Sequence, residues 1–137
     1  MKSTLFALLL CACFAFNTIK HLKGSDILSK LQDEKSSEVI VVMFTIGDYI
    51  KTNPELEQTV SNYEEGIKNI LQRYPSFSYA RVDAANKDYQ DLIDAAQILP
   101  NKLQKAPAVL MSTRGEGIWT HGAEAIDKIA EYAPVYE

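Results

Sequence analysis

The 137 residues carry a formal net charge of −4, from 14 basic and 18 acidic side chains that are interspersed, with 47% hydrophobic and 23% charged residues. A chain of this size makes one domain whose core needs no covalent staples, and the mixed charge leaves no basic footprint for nucleic acid. No internal repeat or low-complexity tract is present, and the composition is that of an ordinary globular protein.

Residues 1–15 read as a secretory signal peptide. Lys2 supplies a basic start, Leu5 to Phe14 is an uncharged apolar run, and Cys13 and Ala15 are small residues at the −3 and −1 spacing of a signal-peptidase site. Extended to Phe16, the run has about 13 residues, short of the roughly 20 that span a bilayer. A retained anchor is the rival reading. A mitochondrial presequence fits less well, because the leader has no Arg and is not amphipathic. Both cysteines, Cys11 and Cys13, lie inside the run, so a chain cleaved near Ala15 carries no thiol, no disulfide and no redox nucleophile. None of Asn17, Asn53, Asn62, Asn69, Asn86 and Asn101 forms an N-glycosylation sequon. The expected location is the endoplasmic reticulum lumen or outside the cell. The terminal Pro134-Val135-Tyr136-Glu137 is not a K-D-E-L-type signal, so retention would need a bound partner.

Residues 16–37 are a polar N-terminal extension with one short helix, capped by Ser25 or Asp26 and apolar at Ile27, Leu28 and Leu31. Gln32 to Ser37 forms a charged loop. Val39 to Phe44 is a continuous apolar run rich in β-branched residues, the pattern of a central strand buried on both faces. A turn through Gly47 leads to Asn53, suited to an N-cap, and Pro54, suited to the first helical position. From Pro54 to Tyr74 the residues Leu56, Val60, Tyr63, Ile67, Ile70, Leu71 and Tyr74 form one helical stripe, with acids early and bases late. Pro75 ends it. Phe77 to Val82 is a second strand, and Tyr89, Leu92, Ile93 and Ala96 lie on one face of a short helix broken at Pro100. Ala108 to Met111 and Ile118 to His121, joined by the turn Arg114-Gly115-Glu116-Gly117, read as a hairpin. A last helix over 123–132 buries Ile126, Ile129 and Ala130. The order is β-α-β-α-β-β-α, an α/β protein with a mixed central sheet and helices on both sides.

The stretch Val39-Ile40-Val41-Val42-Met43-Phe44-Thr45 resembles the V-I-V-M-F-T strand of the oligosaccharyltransferase thioredoxin-like subunits, the magnesium-transporter family of the endoplasmic reticulum. In that family a Cys-x-x-Cys begins nine residues after the Phe, and the same count from Phe44 reaches Asn53-Pro54-Glu55-Leu56. Tyr63 matches the Tyr of the family's E-E-Y element, Val82-Asp83 resembles its V-D, and Ala106-Pro107 resembles its S-A-P, where thioredoxin folds keep a cis-proline. The likeness covers about 38–133 and implies a thioredoxin-like fold over 38–137. Two features depart from the family: both motif cysteines are replaced, and the four membrane helices of those subunits do not follow the domain.

The resemblance makes Asn53, Pro54, Glu55, Leu56, Ala106 and Pro107 the candidate binding set, although Asn53 to Leu56 also reads as a plain helix cap. A cis-Pro107 would present a strand edge to an extended peptide. His21 and His121, without cysteine partners, do not make a zinc site. Asp48 and Asp83 read as caps or turn formers, and Trp119 as a packing residue unless it proves exposed. The implied function is a redox-inactive binding module that holds a polypeptide non-covalently, without cofactor or metal and not an enzyme, associated with oligosaccharyltransferase in protein N-glycosylation. The alternative is a structural subunit of a larger membrane-associated complex. A thiol–disulfide oxidoreductase would require a thiolate that the cleaved chain lacks.

Overall fold

The computed structural model describes residues 16–122 and 124–137; the expected leader with Cys11 and Cys13, and Ala123 at the expected start of the last helix, lie outside them. The chain runs β1 (Asn17–Thr18), α1 (Gly24–Leu31), β2 (Ile40–Thr45), α2 (Gly47–Thr52), α3 (Pro54–Leu71) and β3 (Ser78–Asp83). A 3-10 turn at Lys87–Tyr89 leads into α4 (Gln90–Ala95). A second, at Pro100–Leu103, precedes β4 (Ala108–Thr113), β5 (Glu116–His121) and α5 (Ala125–Tyr136).

The five strands form one sheet in the order β1-β3-β2-β4-β5. β2 lies parallel to β3, with Phe44 beside Val82, and antiparallel to β4, with Phe44 beside Ala108. All six residues of β2 are buried. The strand's period of two sends Val41 and Met43 to one face and Ile40, Val42 and Phe44 to the other, and each set joins its own apolar cluster. On the first face α3 contributes Leu56, Val60, Tyr63, Ile67, Ile70 and Leu71, and α5 contributes Ile129 and Ala133. On the second face Ile27 of α1 and Leu92 and Ile93 of α4 cover the sheet. The continuous apolar run is therefore central because helices cover both of its sides.

Several details differ from the sequence expectation: the last helix runs on to Tyr136 and leaves Ala130 exposed, burying Ala133 instead, and three further differences concern the sheet and its connections. The sheet starts before residue 38: Asn17 pairs with Ser78 and Thr18 with Tyr79 in parallel register, so the extension contributes a strand as well as a helix. The turn after β2 is itself a short helix, α2, which buries none of its residues. The β4–β5 turn is tighter than expected, with Thr113 paired to Glu116 across only Arg114 and Gly115. Their φ values of 54° and 80° suit the two-residue hairpin turn whose twist matches the strands.

Candidate functional site

β2 and β3 end together, and a carboxylate ties their ends. Asp83 Oδ1 accepts from the backbone N–H of Gly47 at 3.3 Å and of Ala85 at 3.0 Å, while Ala84 N–H donates to the Thr45 carbonyl at 2.7 Å. Gly47 opens α2, so Asp83 satisfies one of the orphan donors at that helix start. A Cβ on Gly47 would stand 2.9 Å from Asp83 Oδ2, which is why glycine fits the close approach. This lone carboxylate does the work of a cap.

A second helix start follows six residues later. Asn53 Oδ1 accepts from the N–H groups of Glu55 at 3.1 Å and Leu56 at 3.3 Å, and Pro54 occupies the first turn. Glu55 and Glu57 place acids where the helix dipole favours them. Asn53, Pro54 and Glu55 are exposed, but Leu56 is only 3% exposed and belongs to the core under α3. Replacing Asn53 by Ala should lower the unfolding free energy by about 1 kcal/mol, read by chemical denaturation.

Ala106 and Pro107 are also buried, and Ala106 joins the same apolar cluster as Leu56. No peptide bond among the described residues is cis, so the expected cis-Pro107 is corrected to trans. The trans isomer is the one an X–Pro bond favours by about 0.5–1 kcal/mol unless its surroundings select the other. The structure thus places Leu56 and Ala106 in one apolar cluster, as core atoms. The surface of the candidate set is Asn53, Pro54 and Glu55.

Other polar residues are absorbed by the scaffold. Tyr63 O–H donates to the Gly122 carbonyl, and burial raises its phenol above the ordinary range. Tyr79 O–H donates to Glu64 at 3.2 Å, and burial first, then that carboxylate, raises its phenol strongly. Glu64 also accepts from Arg81 at 2.9 Å. Asp26 accepts from the N–H groups of Leu22 and Lys23, which hold its carboxyl below the usual range. His21 Nδ1 lies 2.6 Å from Tyr89 Oη near β1, whereas His121 ends β5 at the opposite edge of the sheet. The two histidines are not brought together.

Trp119 is the residue whose role the sequence left to exposure. Its ring packs 5.6 Å from that of Phe44, yet it is 45% exposed. Beside it opens a cleft lined by Ile98, Leu99, Leu103, Ala108 and His121, in which Leu99 is also largely exposed. Trp119 therefore packs with one part and faces water with another.

No family model and no curated protein matches the chain. Solved structures do. Thioredoxin O2 from Arabidopsis thaliana superposes with a TM-score of 0.60 at 14% identity, over 90% of this chain and 96% of its own. The fold is thioredoxin-like. Thioredoxin from Trypanosoma brucei brucei gives a TM-score of 0.57 at 13% identity, over 89% and 90% of the two chains. Thioredoxin from Fasciola hepatica gives 0.57 at 15%, over 89% and 100%. The thioredoxin-like scaffold here holds no cysteine from residue 16 onward, so neither helix start carries a thiol. Among the described residues no helix is long and apolar enough to cross a membrane.

Proposed function

We propose that this chain is a redox-inactive thioredoxin-like binding module of the endoplasmic reticulum lumen or secretory pathway, holding protein partners without covalent chemistry. One observation carries the reading: the whole scaffold is retained while both helix starts after β2 are closed by Asn53 and Asp83 rather than by a thiolate. A carboxamide or carboxylate accepting from helix N–H groups stabilises the helix but does not attack a disulfide. The leader over 1–15 supports secretory entry, and loss of that leader removes the only two thiols. The resemblance of Val39 to Thr45, with the nine-residue count to Asn53, supports a place beside oligosaccharyltransferase.

The test measures two quantities on the full chain expressed in a eukaryotic host and purified as that host leaves it. Reduction of insulin disulfides should stay at the uncatalysed rate, and a reduced, alkylated unfolded protein should bind reversibly. Turnover comparable to a thioredoxin control, or a lack of any binding to the unfolded protein, would refute the reading.

A further inference from the structure

We infer that β5 is a self-pairing edge, through which two copies of this chain join their sheets antiparallel about Trp119. The backbone sets the geometry. In a two-residue hairpin the residues flanking the turn, Thr113 and Glu116, form a hydrogen-bonded pair, and the pattern then alternates along the ladder. Ile118 and Thr120 therefore turn their N–H and C=O groups toward β4, and Gly117, Trp119 and His121 turn theirs away from it. β5 ends the sheet, so among the described residues no strand lies on that side. Gly117, Trp119 and His121 are all exposed.

This edge lacks the usual guards. Natural edges carry lysine, proline, a bulge or an inward charge, whereas Glu116-Gly117-Ile118-Trp119-Thr120-His121 has a single acid, at its first position. The strand is also its own complement. With Trp119 on the two-fold axis, Gly117 of one copy faces His121 of the other and Ile118 faces Thr120. Glu116 faces Gly122, so no like charges meet in the ladder. The outward donors and acceptors of 117, 119 and 121 then pair with their own counterparts. The two Trp119 rings come to lie side by side on the Phe44 face, where aromatic cross-strand pairs are favourable. A twofold interface needs this self-complementarity. An unrelated extended strand would satisfy the backbone groups alike, but not this matched set of side chains. The inference stands whether or not the module also binds unfolded polypeptide.

Sedimentation velocity from about 1 μM to about 500 μM, the span in which weak association is read, tests it on the chain purified from a eukaryotic host. The expected result is a concentration-dependent monomer–dimer equilibrium. Trp119→Lys sets two like charges against each other on the axis and should weaken it at least about tenfold. His121→Pro removes an outward N–H that β4 does not use, at a strand end whose extended backbone tolerates the fixed φ, and should weaken it as well; circular dichroism and thermal melting establish that each variant is folded. Amide exchange gives the register: Gly117, Trp119 and His121 should become protected as concentration rises. A wild-type protein that stays monomeric throughout overturns the inference, even if an added extended peptide occupies the edge. So does a dimer whose three outward amides exchange freely, or folded variants that both dimerise as the wild type does.

Discussion

Truncating Phe44 to Ala should lower the unfolding free energy by about 3–5 kcal/mol, the cost of removing a buried aromatic ring and leaving its cavity. Phe44 is fully buried, lies between Val82 and Ala108 in the sheet, and touches the Trp119 ring. The loss is a large share of the roughly 5–15 kcal/mol that holds a domain of this kind together. Equilibrium urea denaturation with fluorescence of the single Trp119 reads both effects. The midpoint should fall, and the native emission should change because the ring next to the indole is gone. An unchanged midpoint would show that β2 is not the strand on which the sheet is built.

The larger effect is expected at the candidate site itself. Leu56→Asp puts a carboxylate into the apolar cluster that α3 forms with residues such as Val60 and Met43, whose side chains offer no partner. An unpaired buried charge of this sort costs about 4–5 kcal/mol or more, at the extreme of single substitutions. The melting temperature read by circular dichroism should fall by about 10 °C or more, since each kcal/mol lost lowers it by roughly 3–5 °C in a domain of this size. Glu55→Lys, one residue earlier but exposed, loses only the favourable placement at a helix start, about 0.3–1 kcal/mol. The pair separates stability from recognition. Loss of binding in the folded Glu55 variant locates a partner at the start of α3, whereas loss in the Leu56 variant reports only unfolding. A Leu56→Asp protein as stable as wild type would contradict the buried position of this side chain.

The elements that could be read from sequence are those whose burial imposes a pattern on many residues. Val39 to Phe44 shows a run with no polar interruption because both its faces are covered. α3 shows a stripe because only one face is covered, and the acceptor at Asn53 marks its start. β1 left no such mark: two exposed residues have no periodicity, and their strand state depends wholly on pairing with Ser78 and Tyr79. α2 buries nothing, so its six residues carry no stripe either. At the candidate site the sequence held two readings of Leu56, as a member of the α3 stripe and as a member of the motif position. The first reading already implied that the side chain points inward. For Trp119 the exposure depends on β5 being the outermost strand, and strand order is a long-range property that local pattern does not encode. The trans geometry of Ala106–Pro107 is likewise invisible in a dipeptide that both isomers accept.

The two margins of the sheet are not equivalent, and the difference bears on how the protein behaves when concentrated. On the far side β1 shields only Ser78 and Tyr79, but the rest of β3 carries exposed Arg81 and Asp83, with Arg81 held by Glu64. Ionic side chains of this kind discourage an approaching strand. Endless growth of a sheet needs every molecule to offer two receptive margins, so that each addition creates a new place for the next. Among the described residues this molecule offers one, because the opposite margin consists of β1, only two residues long, and the ionic stretch of β3. Stacking by strand addition therefore terminates after a single step, and the protein can be concentrated without its sheets extending into a fibre.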